Sequence, residues 1–196
     1  MKIEATEIAD VLLLVPECHA DDRGLFAEVY NRTEFVRAGI SPVFTQDNMS
    51  RSVSAGTVRG LHYQVPPHAQ AKLVRCSRGA ILDVAVDIRR YSPTFGRHVR
   101  RVLSADNMQQ LFVPAGFAHG FSTLSANTEV QYKVSADYAP DSERGIAFDD
   151  PTLAIDWQLR GREPILSAKD RALPFLENLK NDSPFKTIME PAACVF

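Results

Sequence analysis

Little in this sequence is extreme, and each scarcity excludes a class of protein. Cysteine is sparse: Cys18, Cys76 and Cys194 are odd in number, widely spaced and outside any Cys-x-x-Cys or Cys/His ligand pattern. That excludes a disulfide framework and a zinc module, and it points to a reducing, cytoplasmic setting. Long apolar runs are missing. The strongest run near the start, Val11-Leu12-Leu13-Leu14-Val15, has five residues, against the roughly 20 that a membrane helix needs. No basic segment or small-residue cleavage site accompanies it, so a soluble, unprocessed chain without a membrane partner is expected. Charge of one sign is also missing. Lys and Arg number 22 against 24 Asp and Glu, a formal charge of -2, and the pI is near 6.2. That balance argues against a duplex nucleic-acid binder that lives on phosphate attraction, while leaving local basic pockets open.

What is present is an ordinary globular composition. Hydrophobic residues at 45% and charged residues at 23% allow a sizeable core in 196 residues, which is the scale of one domain. No repeat, low-complexity segment or polar linker interrupts the chain, so one domain is expected over 1–196. The dominant periodicity is two. Ala80 to Ile88 places Leu82, Val84, Val86 and Ile88 on one face, with the turn Ser92-Pro93-Thr94-Phe95-Gly96 after it. Lys72–Cys76, His98–Leu103, Gln110–Val113, His119–Leu124 and Glu129–Val134 read the same way. Many short strands separated by turn residues indicate a mainly β sandwich, jelly roll or barrel. Helices are few and peripheral. Asn31 to Gly39 carries an N-cap, Glu34 and a glycine stop; a second helix is expected from Ser167 through Leu173 to Leu179 despite Pro174. Residues 181–196 are expected to wrap over the surface.

Period two also sorts ionisable groups. His119 shares its face with Phe121 and Thr123, Tyr132 with Val130 and Val134, Lys72 with Val74 and Cys76, and His62 with Gln64. Two histidines, a lysine and a tyrosine thus point inward, and a cavity with a few convergent polar groups is a ligand site by default. Each residue alone has a plainer explanation: a hydrogen-bonded core histidine, a packed tyrosine, a lysine reaching along the surface to water, or Asp170 capping a helix. Asp83 and Asp87 face away from the apolar stripe and read as solvated or paired with arginine. The functional case rests on the combination.

Pro114-Ala115-Gly116-Phe117-Ala118-His119 matches the second half of the cupin signature, which narrows the fold to a cupin-like double-stranded β-helix, a jelly-roll barrel. The metal-binding first half fails. His62-Tyr63-Gln64 lacks the second His, and no Glu lies between Val65 and Gly79, so no metal is expected.

Several further segments occur in order: Asp22 to Tyr30, Gln46 to Ser50, Arg59 to Gln64, Gln70 to Arg75, Asp83 to Asp87, Ser92 to Gly96, Val113 to Phe121 and Ser167 to Asp170. Together they resemble the dTDP-4-dehydrorhamnose 3,5-epimerases over about residues 1–171, leaving 172–196 as an extension. The resemblance implies an isomerase without cofactor, acting on a dTDP-4-keto-6-deoxy sugar nucleotide. His62 matches the family's base, Asp170 the carboxylate behind it, Lys72 the cation that meets charge on the carbon 4 oxygen, and Tyr132 the general acid. Arg23, Arg59 and His119 match groups that meet the diphosphate and sugar. Phe26 and Tyr138 offer faces for the thymine, and Glu28, Gln46, Asn48, Glu143 and Lys169 are polar binding candidates. Phe112 and Phe148 stand where many members show Trp. The resemblance also implies a homodimer with exchanged N-terminal strands, so that Arg23 to Glu28 serve the partner's pocket. Two alternatives stay open: an epimerase that inverts one carbon only, and a sugar-nucleotide binding module without turnover.

Overall fold

A computed structural model describes residues 1–179 and 185. Thirteen strands dominate the described residues: β1 (Lys2–Ala5), β2 (Leu12–Val15), β3 (Cys18–Asp21), β4 (Gly24–Ala27), β5 (Gln46–Ser52), β6 (Val58–Gln64), β7 (Lys72–Arg78), β8 (Ala80–Asp87), β9 (His98–Ser104), β10 (Gln110–Val113), β11 (Phe117–Thr123), β12 (Thr128–Val134) and β13 (Glu143–Gly145). They form a six-stranded sheet in the order β1-β2-β10-β7-β12-β5, a five-stranded sheet in the order β13-β6-β11-β8-β9, and a separate β3–β4 hairpin. All pairings within these sheets are antiparallel. This is the jelly-roll barrel that the sequence pattern and the cupin motif indicate.

The two sheets enclose a core to which Val74, Leu111 and Val130 contribute from one side and Ile81, Ala85 and Phe121 from the other. A second apolar layer covers the outer face of the five-stranded sheet, where Leu61, Leu82 and Val84 pack against Ile146, Leu153, Trp157, Leu176 and Phe185. β8 is therefore buried on both faces. That overturns the expectation for Asp83, which is not solvated but 0% exposed; alternation cannot tell an outer face from an inner one when both are covered. Asp87, equally buried, is paired with arginine: it accepts hydrogen bonds from Arg89 at 2.7 and 2.9 Å, and from Ser92 and Thr94 of the following turn.

Helix α1 (Arg32–Arg37) begins where Asn31 Oδ1 accepts the N–H groups of Thr33 and Glu34, and Gly39 at φ +80° follows its end. Its Phe35 joins Leu73 and Phe112 in a third cluster on the outside of the six-stranded sheet. The helix expected from Ser167 to Leu179 is cut short: α2 covers Ala168–Arg171 and a separate 3-10 turn covers Leu176–Leu179. Pro174 is the cause, since it has no N–H for the Asp170 carbonyl and its ring clashes there. Of the segment 181–196, only Phe185 lies within the described residues. It is 4% exposed and packs against Tyr63.

Candidate active site

β6 carries the first two polar groups, and a bulge aims them. His62 pairs with His119 and Arg59 with Phe121, so β6 spends one residue more than β11 over the same interval. The bulge centres on Gly60, at φ +110°, a conformation that glycine adopts without a steric penalty. A Cβ there would stand 2.7 Å from the Gly120 backbone. Because of the extra residue, Arg59 and His62, three apart, lie on one face. Across the barrel, Tyr132 pairs with Val74 and Asn48, and Lys72 with Val134. These strands bring His62, Lys72, Tyr132, Gln46 and Asn48 to the wall of one cavity of about 130 Å³, with Tyr138 and Glu143 also lining it.

His62 Nε2 stands 2.6 Å from Asp170 Oδ1. Burial by itself would raise the Asp170 carboxyl, but the His62 ring and hydrogen bonds from Ser167 and the Gly60 backbone outweigh it and hold the group below the ordinary carboxylate range. A carboxylate only accepts, so Nε2 carries the proton and Nδ1 is left as the basic nitrogen. The capping explanation of Asp170 accounts for its backbone, whose N–H donates to Ser167 Oγ at 3.0 Å, while its side chain turns to the histidine.

Lys72 does not reach solvent. It is 8% exposed, and Nζ donates to the His62 carbonyl at 3.3 Å. Burial lowers its ammonium to about 8 against the pull of Asp83 and Glu143. Tyr132 packs against the inner core; burial raises its phenol, Arg59 lowers it and Glu143 raises it further, with a net rise. Arg59 donates to Ser52 Oγ and the Arg51 carbonyl.

His119 stands opposite His62 in the β6–β11 register, is buried and does not itself line the cavity, with Nε2 2.8 Å from Oδ1 of Asp83. The second Asp83 oxygen has no hydrogen-bond partner among the described residues. At the rim, Tyr138 donates to Glu143 at 2.6 Å, and Lys169 forms an ion pair with the same carboxylate. Burial works to raise Glu143, yet its bonds to Lys169 and Tyr138 hold it low.

Of the residues singled out in the sequence, Arg59, His119 and Lys169 do not line the cavity, and Arg23, Phe26 and Glu28 stand apart from it within this chain. Arg23 and Phe26 sit on the β3–β4 hairpin, where Arg23 pairs with Asp21 at 2.5 Å and Phe26 is 70% exposed. Phe26 and Glu28 line a groove of about 590 Å³ on the outer face of the six-stranded sheet. Phe112 belongs to the α1 cluster and Phe148 to the outer layer, so neither lines the cavity. Conversely, Gln70 lines the cavity from a loop that carries no periodic signal. Among the described residues no three His, Cys, Asp or Glu side chains group as metal ligands.

The family model for dTDP-4-dehydrorhamnose 3,5-epimerase matches residues 5–178. A dTDP-4-dehydrorhamnose 3,5-epimerase of Escherichia coli is 51% identical over 181 residues, covering 91% of this chain and 96% of the relative. The crystal structure of the Bacillus anthracis enzyme of that name, with TDP and PPi bound, is 49% identical with a TM-score of 0.86, covering 89% of this chain and 98% of the other. A Legionella pneumophila dTDP-6-deoxy-D-glucose-3,5-epimerase in complex with dTDP-4-keto-L-rhamnose is 42% identical with a TM-score of 0.91, covering 95% and 98%. This chain belongs to the dTDP-4-dehydrorhamnose 3,5-epimerase family of isomerases.

Proposed function

We propose that the protein converts dTDP-4-keto-6-deoxy-D-glucose to dTDP-4-keto-L-rhamnose by inverting carbons 3 and 5 without a cofactor. One observation carries the reading: His62 and Tyr132 project into one cavity from the two opposed sheets. Inversion requires a proton to leave one face of a carbon and another to arrive on the opposite face, and a single base would restore the original configuration. His62 Nδ1 takes the proton beside the 4-ketone. The electron pair moves onto the carbon 4 oxygen, where the Lys72 ammonium meets it. Tyr132 then delivers a proton from the other side. Asp170 holds the imidazole in its basic tautomer and stabilises the imidazolium.

Tyr138 provides an aromatic face for the thymine, and Arg59 and His119 serve the sugar and diphosphate, with Gln46, Asn48, Glu143 and Lys169 as polar contacts. Arg23, Phe26 and Glu28 complete the pocket of a partner subunit in a homodimer. Support comes from the β3–β4 hairpin, whose residues Cys18 to Phe26 are all exposed. No helix among the described residues is long and apolar enough to cross a membrane, which accords with a cytoplasmic enzyme.

Incubation with dTDP-4-keto-6-deoxy-D-glucose in deuterated water, read by mass spectrometry, tests the reaction. Two deuterons in the product are expected. One would mean inversion at a single carbon, and nucleotide binding with no deuteron would mean a binding module. Turnover that collapses on exhaustive chelation and returns with one divalent metal would overturn the cofactor-free part.

A further inference from the structure

Gln64, in the last position of β6, is 3% exposed, and its amide is fully committed. Nε2 donates to the His68 carbonyl at 2.7 Å and to the Asp137 carbonyl at 3.2 Å, while Oε1 accepts the Ala139 N–H at 2.8 Å. The last two bonds grip the chain immediately before and after Tyr138. Tyr138 itself donates its N–H to Gln46 Oε1 at 3.0 Å. Through its backbone, Gln64 pairs with Glu143 in the β6–β13 register, and Glu143 accepts the Tyr138 hydroxyl. One buried side chain thus fixes the loop that carries the aromatic platform, and its own main chain fixes the carboxylate that holds the platform's far end.

We propose that Gln64 is a positioning residue that presets Tyr138 and Glu143 for the nucleotide end of the substrate, so that binding does not have to order the 136–139 loop. The inference rests on the substrate reading above. Tyr138 is 55% exposed and takes no part in the ring–ring or cation–π contacts of the described residues, so its position depends on these backbone tethers and on its hydroxyl bond to Glu143. A preset platform saves the ordering cost that a mobile one charges against affinity.

The test is dTDP binding by calorimetry together with solvent exchange on the saturated enzyme. Gln64→Met keeps the length of the side chain and removes all three bonds. It is expected to weaken dTDP about tenfold, the scale of one net hydrogen bond, while exchange at saturation stays within about threefold because His62 and Asp170 keep their contact. The effect should not add to that of Tyr138→Ala: the double variant is expected to bind no worse than Tyr138→Ala alone. Unchanged binding by a folded Gln64→Met, or losses that multiply in the double variant, would overturn the proposal. If Gln64→Met fails to give a cooperative melt, Gln70→Met takes its place, since Gln70 Nε2 tethers the Ala136 carbonyl of the same loop at 2.7 Å. Weakened binding that does not add to Tyr138→Ala is expected there too, and wild-type binding by that variant would overturn the proposal. Wild-type protein that bound no dTDP would overturn the substrate reading as well, which separates the two failures.

Discussion

The imidazole of His62 and the carboxylate of Asp170 meet at 2.6 Å across 108 positions of chain. One sits on an inner strand and the other on a four-residue helix whose Ser167 cap sets its angle. The pair joins barrel to helix, and its removal separates two effects. His62→Ala is expected to lower proton exchange by about 10³ or more, within the range of a general base, with dTDP affinity nearly intact because the base faces the sugar carbon. Asp170→Asn leaves Nδ1 in place but loses the stabilised imidazolium, so it costs less than His62→Ala. Exchange rates in deuterated water check both, and a full rate in Asp170→Asn would restrict that residue to holding the helix.

Tyr132→Phe removes one hydroxyl and leaves the ring against its core neighbours. The expected result is a product loss of about 10² or more, with solvent deuterium still entering the substrate without inversion. Lys72→Met should depress exchange and product together, since without the cation the enolate scarcely forms. Comparing deuterium content with product configuration distinguishes the two, and equal losses in Tyr132→Phe would remove it as the acid.

The ammonium of Lys72, held at about 8 by burial, gives the pH dependence a sign. In the proposed mechanism the working form is the cation, so kcat/KM is expected to fall as pH rises through about 8. Tyr132 is pushed above its ordinary 10 by burial, so the phenol does not produce that limb. Lys72→Arg stays charged throughout, and whatever activity it retains should show no decline near pH 8.

Asp87 offers a stability test away from the chemistry. Burial works to raise its carboxyl, but Arg89, Ser92 and Thr94 outweigh that and hold it below the ordinary 3.8. A depressed carboxyl stabilises the fold above its unfolded value and loses that contribution as pH falls through the folded one. Asp87→Asn, which weakens the hold on the buried Arg89 and leaves it Asp10 at 2.8 Å as its remaining carboxylate, is expected to cost about 2 kcal/mol at pH 7, the scale of hydrogen bonds to a charged group. Urea denaturation at pH 7 and pH 3 should show the gap closing at the lower pH.

The legible part of the fold is the part that obeys simple periodicity. β8 announces itself by apolar alternation, β10 by the short apolar run Leu111-Phe112-Val113, and α1 by Asn31 and Gly39. β5, in contrast, reads Gln-Asp-Asn-Met-Ser-Arg-Ser: Gln46 and Asn48 line a cavity and Asp47, Met49 and Arg51 are exposed, so no apolar pattern marks it as a strand. The β3–β4 hairpin buries almost nothing and gives no signal for the same reason. Within the site, inward-facing His62, Lys72 and Tyr132 follow from alternation. Their mutual approach does not, and neither does the true environment of Asp83, which shares the inner face of β8 with Ile81 and Ala85 and meets His119 there, because a second layer covers the Leu82 and Val84 face that alternation marks as the core. The bulge that turns Arg59 to the side of His62 is marked only by a glycine.

That glycine sets where this barrel has room to change. Gly60 meets Gly120 main chain to main chain, with no side chain between β6 and β11, so the strand that carries His62 accepts no added bulk at its crossing point. A larger or differently shaped sugar cannot be admitted by widening the barrel there. Room for a differently shaped sugar lies instead in the parts that touch solvent, such as the loop bearing Tyr138, while the strand that carries His62 stays fixed against β11.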